Sequence, residues 1–151
     1  MRYAFLLIAM VCNSIFSFAH DVPIATFQIT ESESLLQLDV TFDLEDFSKS
    51  LDVEVEEIDL QYMKDYLSEN TNFFFNGKET ALHVSDVKIV RGHIRVKGNF
   101  GKALEKIETI KIKNICLNNV RHHSNHIQID LNDKTKDYRM HKRRTEIKLK
   151  Y

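Results

Sequence analysis

Residues 35–43 read LLQLDVTFD, and the fold prediction rests on this stretch. Its apolar side chains alternate strictly with polar ones, which is the period of a β-strand with one buried face and one face in water. The same alternation recurs in later segments, most clearly in residues 127–131 and 147–151. The chain is therefore predicted to be mainly β.

Two dipeptides mark where neighbouring strands are expected to turn back. Asn76-Gly77 lies between two strand-like runs, and Asn-Gly is the strongest short-range indicator of a β-hairpin. Arg91-Gly92 divides a second pair of runs in the same way. Eight or nine strands with polar outer faces predict an antiparallel β-sandwich of the immunoglobulin-like kind.

One segment departs from the two-residue period. Leu60, Met63 and Leu67 recur at helical spacing, and acidic residues crowd the start of the segment. We expect one inserted helix near residues 55–69, packed on the sheet. Residues 44–51, LEDFSKSL, are compatible with a short helical turn before it.

The first nineteen residues have the layout of a signal peptide. Arg2 supplies a basic start, and Ser17 and Ala19 are small residues at the −3 and −1 positions of a cleavage site. The uncharged run between them is about 15 residues long, shorter than the roughly 20 needed to span a bilayer. A cleaved signal at residues 1–19 is expected, and lipidation at Cys12 is the less favoured alternative.

Cleavage there would leave residues 20–151 as a single β-sandwich domain, long enough for one hydrophobic core. We expect export to the periplasm or cell envelope of a Gram-negative bacterium, with no transmembrane segment after cleavage. Cys116 would then be the only thiol, so an intramolecular disulfide is excluded. We expect this thiol to pack as a small apolar group.

Charge is nearly balanced overall but unevenly distributed. Residues 31–69 hold thirteen acids and two lysines, whereas residues 134–151 hold eight Lys or Arg and two acids. A basic end can indicate an anionic partner, which for an exported protein would be lipid or surface glycan rather than nucleic acid. The favoured alternative is that the two segments lie near each other and partly neutralise.

Residues 121–129, RHHSNHIQI, contain the most chemically suggestive cluster. His122, His123 and His126 precede or begin a strand, and imidazole is a common ligand of Cu, Ni and Zn. After signal cleavage His20 would add an α-amine and a fourth imidazole. The spacing matches no established ligand motif, so a polar loop is favoured and a Cu, Ni or Zn site is the alternative.

The sequence carries no recognisable catalytic pattern. Gly-x-Ser-x-Gly does not occur, and the acidic clusters are typical of a solvated face. The expected class is therefore a non-enzymatic binding or assembly domain without a cofactor, contacting an unknown envelope protein or surface component. The candidate contact residues are Lys142, Arg143 and Arg144.

The layout resembles a family of small exported proteins of unknown function common in Bacteroidota. The matching residues are His20, FDLEDF at 42–47, NGK at 76–78, Asn125 with Ile127, and KRRT at 142–145. Three features depart from the family pattern: Asp21 replaces a proline, the acidic pair is spaced differently, and His123 replaces a glutamine. A more distant, fold-level likeness is to the periplasmic sandwich domains attached to some nickel and cobalt permeases.

The family resemblance implies an exported, sandwich-like domain with no known enzymatic activity. It also singles out Asn125 as a candidate site residue, since an Asn before a hydrophobic residue is part of the family motif. The favoured alternative is that Asn125 bonds neighbouring backbone groups and fixes a turn.

Overall fold

The computed structural model describes residues 24–32, 35–102 and 106–151. The expected signal peptide, Cys12 and His20 lie outside the described residues. Within them, the strands are β1 (Ile24–Ser32), β2 (Leu35–Asp43), β3 (Thr71–Phe75), β4 (Lys78–Thr80), β5 (His83–Val90), β6 (His93–Lys102), β7 (Thr109–Asn114), β8 (Ser124–Leu131), β9 (Lys134–His141) and β10 (Glu146–Lys150). The helices are α1 (Leu44–Leu51) and α2 (Leu60–Asn70). The prediction of a mainly β chain is confirmed.

The strands form two sheets. The first has the order β5-β6-β2-β1-β8-β9, and the second has the order β10-β7-β3-β4. The second sheet is antiparallel, but the first is mixed because β1 and β8 run parallel, with Phe27 opposite Ile127. The prediction of purely antiparallel pairing was therefore wrong for the first sheet. Alternation within a strand carries no information about the direction of a distant partner.

The alternation and the turns are confirmed in detail. In LLQLDVTFD, every second side chain is buried: Leu36, Leu38, Val40 and Phe42. Asn76-Gly77 connects β3 to β4, and Arg91-Gly92 connects β5 to β6. All four residues have positive φ, between 51° and 80°, as a type I′ hairpin turn requires.

Two helices follow β2, where one was expected. The side chain of Asp43 accepts a hydrogen bond of 2.9 Å from the Asp46 N–H and so begins α1, and Asp59 caps α2 in the same way. Residues 55–57 form only a 3₁₀ turn, and the second helix starts at Leu60. The helical turn considered for residues 44–51 is therefore a complete short helix. No helix of the described chain is long and apolar enough to cross a bilayer.

Side chains from both sheets and both helices share one core. The ring of Phe100 on β6 lies 4.8 Å from that of Phe73 and 5.1 Å from that of Phe75, both on β3, so the two sheets meet there. A second aromatic cluster joins α1 to β2 and α2, since Phe47 lies 5.1 Å from Phe42 and 4.9 Å from Tyr66. The helices are thus part of the core.

Candidate functional site

The three clustered histidines occupy three different environments. His122 is exposed at a turn and has a φ of 63°. His123 is only 6 % exposed. His126 lies on the outer face of β8, where its Nε2 is 3.1 Å from Asp137 Oδ1 on β9. The differences follow from the backbone, which turns through residues 121–123 and becomes an alternating strand at Ser124.

A metal site built only from the described residues finds no support in this arrangement. Across residues 24–32, 35–102 and 106–151, no three His, Cys, Asp or Glu side chains are grouped so that they could hold a metal ion. The proposed fourth donor, His20, lies outside that part of the chain. The Cu, Ni or Zn site therefore stays a prediction.

Asn125 is fully buried and ties β8 to the β7–β8 loop, residues 115–123. Its Nδ2 donates to the carbonyl oxygen of Cys116 over 3.0 Å, and its Oδ1 lies 3.1 Å from Nε2 of His123. The N–H of Cys116 in turn donates to Asn114 Oδ1 at 2.9 Å. This buried network holds the loop in place through the distant Cys116 carbonyl.

The hydrogen bonds of Asn125 also determine which ring nitrogen of His123 carries the hydrogen. A carbonyl oxygen only accepts, so the amide nitrogen of Asn125 must face Cys116 and its oxygen must face His123. Nε2 of His123 therefore carries the hydrogen, and Nδ1 is a bare acceptor. Burial lowers the pKa of His123, which favours the neutral ring. Nδ1 is buried and has no hydrogen-bond partner among the described residues.

Tyr66 and Cys116 complete the support beneath the loop. The hydroxyl oxygen of Tyr66, on α2, accepts a hydrogen bond of 3.1 Å from the Leu117 N–H. Burial raises the pKa of both Tyr66 and Cys116 well above their usual ranges, so both groups remain protonated. Cys116 is fully buried, which confirms that it packs as an apolar group.

A cleft of about 710 Å³ opens between the β7–β8 loop and the β9–β10 turn, residues 142–145. We call it the basic cleft, after its cationic side chains. These are Arg121, Arg139, Lys142 and Arg143. No Asp or Glu of the described residues lines it. His122, His123 and His141 also contribute to its wall.

The two walls of the basic cleft are held in register by the β8–β9 ladder. Ser124 pairs with His141, and the Nε of Arg139 donates to Ser124 Oγ over 2.9 Å. At the end of β9, His141 and Arg144 exchange backbone hydrogen bonds of 3.1 and 2.7 Å. This tight turn presents Lys142 at its tip.

The predicted contact residues are only part of this surface. Lys142 and Arg143 line the basic cleft, whereas Arg144 closes the turn through its backbone and is not part of the lining. Sequence reasoning missed Arg121 and Arg139, which come from two separate segments. A signal for Arg139 was available, because pairing residues 124–131 with 134–141 as a hairpin places it beside the start of β8.

The positive charge of the basic cleft is not neutralised by ion pairs. Within the described chain, none of its four cationic side chains forms an ion pair with a carboxylate. There, too, no ion pair joins the acidic residues 31–69 to the basic residues 134–151. The acidic segment does approach the β7–β8 loop, since Asn119 Nδ2 donates to the Ser50 carbonyl oxygen of α1 over 3.1 Å.

No protein-family model matches the chain, and no curated protein matches it significantly. The chemistry of the basic cleft follows from its side chains. Guanidinium and ammonium groups donate charge-assisted hydrogen bonds to carboxylate, phosphate or sulfate oxygens, and arginine does so with a planar fork. Because no Asp or Glu in the described part of the chain lines the cleft and competes for these groups, the cleft is suited to an anion.

Proposed function

We propose that this protein is an exported, non-enzymatic binding domain whose basic cleft holds an anionic group of a cell-envelope or surface component. The observation that carries the proposal is the convergence of Arg121, Arg139, Lys142 and Arg143 on one cleft that no Asp or Glu of the described residues lines. In this proposal the two sheets form an immunoglobulin-like β-sandwich, and loops at one end of it carry the site. Export is supported by the signal-like layout of residues 1–19.

The energetics favour a ligand with several anionic groups. The cationic residues are exposed, and one exposed ion pair contributes only about 0–1 kcal/mol. Several such contacts made together give useful affinity, and this affinity should fall as salt screens the charges. A multivalent anion therefore fits the basic cleft better than a single small ion.

The test is calorimetric titration of the mature chain with inorganic tripolyphosphate at low and high salt. The cleft variant replaces Arg139, Lys142 and Arg143 with Gln. The control variant replaces Lys64, Lys78 and Lys134 with Gln, which removes the same charge from exposed positions away from the cleft. We expect the cleft variant to bind about tenfold or more weakly, as the loss of about 1.4 kcal/mol implies, and the control to bind within about twofold.

Two outcomes would contradict the proposal. Equal weakening of both variants would mean that net charge, rather than the cleft, attracts the anion. Unchanged binding by the cleft variant would place the anion elsewhere. Thermal melting of each variant confirms that the comparison is made between folded proteins. N-terminal sequencing of protein recovered from the periplasm tests export and cleavage before His20.

Transition-metal binding is the second candidate, and one observation favours it. The unprotonated Nδ1 of His123 is buried and has no hydrogen-bond partner among the described residues, and His122 and His141 line the same cleft. The surrounding cations oppose a metal cation, so His20 would have to supply its amine and imidazole to make the site strong. Titration with Cu(II) and Ni(II) should then show tight binding that is lost in His20→Ala and in a chain retaining one residue before His20.

A further inference from the structure

We infer that two copies of this chain pair edge to edge through β5, with the two strands antiparallel about a twofold axis at Val87. The inference goes beyond the proposed function and does not depend on it. It is carried by the open edge of β5 and by the charged residues on either side of Val87.

The four edge strands of the two sheets differ in how well they are protected from pairing. Natural proteins protect such edges with short strands, with lysines or with a covering element. β4 has only three residues, and β9 and β10 carry several cationic side chains each. These cationic residues are Lys134, Lys136 and Arg139 on β9 and Lys148 and Lys150 on β10.

β5, the remaining edge strand, has little of this protection. It is eight residues long and contains one lysine, Lys88. Ile89 and Val90 are 38 % and 36 % exposed, so apolar surface lies beside the open edge. A bulge at Ser85 makes the start of the strand irregular, but its pairing with β6 is regular from Asp86 onward. The regular part of β5 is therefore available to a further strand.

The backbone groups that face away from β6 belong to Val87 and Ile89. The two-residue turn after Val90 makes that residue part of a hydrogen-bonded pair with β6, and such pairs alternate with non-hydrogen-bonded ones along an antiparallel ladder. Lys88 therefore bonds to β6, whereas Val87 and Ile89 direct their N–H and carbonyl groups outward. Within the described ranges, neither residue has a backbone hydrogen bond outside the ladder. α2 packs against β5 but forms no backbone hydrogen bond with it there.

A second copy of β5 matches this edge in both hydrogen bonding and charge. When Val87 lies opposite its own copy, Asp86 of each chain lies opposite Lys88 of the other, as the twofold symmetry requires. When Val87 instead lies opposite Ile89, Lys88 faces its own copy, and like charges directly opposite each other are destabilising. The charges of β5 therefore favour the pairing centred on Val87.

The surroundings of Lys88 favour the same pairing. Its cross-strand neighbour on β6 is Arg95, which carries the same charge. Its ion-pair partner in the described chain is Asp86 of its own strand, whose Oδ2 lies 2.7 Å from Lys88 Nζ. The second copy would add a carboxylate on the open side of Lys88, away from Arg95, and so offset the repulsion between the two cations.

Sedimentation velocity of the mature chain, from about 10 μM to about 1 mM, tests the pairing. The contact between two strand edges is small, so we expect a weak dimer that dissociates on dilution. Asp86→Lys and Lys88→Glu should each weaken dimerisation by about tenfold or more, because each places like charges opposite each other at both ends of the symmetric pair. Lys148→Glu, on the edge strand β10, makes the same charge change as Lys88→Glu and should dimerise like the parent.

Mixing the variants tests the register. An equimolar mixture of Asp86→Lys and Lys88→Glu should dimerise more strongly than either variant alone, because every charge then lies opposite its complement. A mixture of Asp86→Lys with Lys148→Glu has the same net charges and should recover less, since one like-charged pair remains. Melting temperatures verify that each variant is folded.

Three outcomes would overturn the inference. One is a parent chain that stays monomeric at the highest concentration. A second is a dimer that both β5 variants retain, because the contact would then lie elsewhere. The third is a mixture of Asp86→Lys and Lys88→Glu that dimerises no better than its components, because Asp86 and Lys88 would then not lie opposite each other.

Discussion

His123 and Asn125 are joined by a buried hydrogen bond of 3.1 Å, although one residue belongs to a loop and the other to a strand. The bond orients an imidazole that lines the basic cleft, and the other ring nitrogen has no partner within the described ranges. Asn125 is itself held by the Cys116 carbonyl on the far side of the loop. The stretch RHHSNHIQI therefore combines a supporting scaffold with part of the wall of the basic cleft.

Replacing Asn125 with Ala should lower the free energy of unfolding by about 2–4 kcal/mol. The substitution leaves the Cys116 carbonyl and the His123 Nε2–H buried without partners, and each such group costs about 1–3 kcal/mol. Urea unfolding followed by circular dichroism measures the change. Asn72→Ala, at an exposed position, is the control and should cost less than about 0.5 kcal/mol. A similarly small effect at Asn125 would show that the network contributes little to stability.

The stability of the fold should depend on pH through His123. Burial lowers its pKa in the folded state below the value of about 6.5 for an unfolded chain, so the unfolded state binds the proton more readily. The contribution of the neutral ring is fully present above about pH 6.5 and is lost as the pH falls through the lowered pKa. The chain should therefore lose stability between pH 7.5 and pH 5.

The variant His123→Gln isolates this contribution, because a Gln amide can still donate to Asn125 but does not titrate. Its free energy of unfolding should fall less steeply over the same pH range than that of the parent. Asp46 titrates nearby with a raised pKa, mainly through burial, and is present in both proteins. His83→Gln, at an exposed position, should keep the parental slope. Identical slopes in the parent and His123→Gln would exclude His123 as the source.

Local pattern was sufficient to predict most strands. Alternation in LLQLDVTFD follows from the pleat of a strand, and Asn-Gly favours a tight turn whatever surrounds it. Neither signal says which distant strand lies alongside. The parallel pairing of Phe27 with Ile127 depends on how the intervening hundred residues cross between sheets, so the mixed sheet could not be read from either segment.

The site was less predictable than the fold for the same physical reason. His122, His123, Lys142 and Arg143 belong to compositionally unusual stretches and attract attention in the sequence. Arg139 stands alone in an ordinary strand, and only the β8–β9 pairing brings it to the cleft. The sequence also gives no indication that His123 is buried while its neighbour is exposed.

Truncating Phe47 should lower the free energy of unfolding more than most single substitutions do, although the sequence indicated α1 only weakly. Its side chain is fully buried between Phe42 and Tyr66, so Ala would leave a large cavity. We expect Phe47→Ala to destabilise the fold by about 3–5 kcal/mol. Phe74→Ala, at a partly exposed position on β3, is the control and should cost much less. Comparable losses at both positions would show that α1 is not integral to the core.

Asn76 should stabilise the chain in two separable ways. Its φ of 52° suits the hairpin turn, and its side chain reaches a segment some thirty residues later. There Oδ1 accepts from the N–H groups of Glu108 and Thr109 at 2.7 and 3.1 Å, and Nδ2 donates to the Lys106 carbonyl at 2.8 Å. The turn residue therefore also fastens the start of β7 to β3.

Two substitutions at Asn76 divide these contributions. Asn76→Gly keeps the positive φ without strain and loses only the side-chain hydrogen bonds, which should cost about 1–2 kcal/mol. Asn76→Ala loses the same bonds and also strains the left-handed backbone, which should add about 1 kcal/mol. Chemical denaturation of both variants gives the two values. If Gly were as stable as the parent, the contacts with residues 106–109 would be energetically neutral, and the preference for Asn here would come from the turn alone.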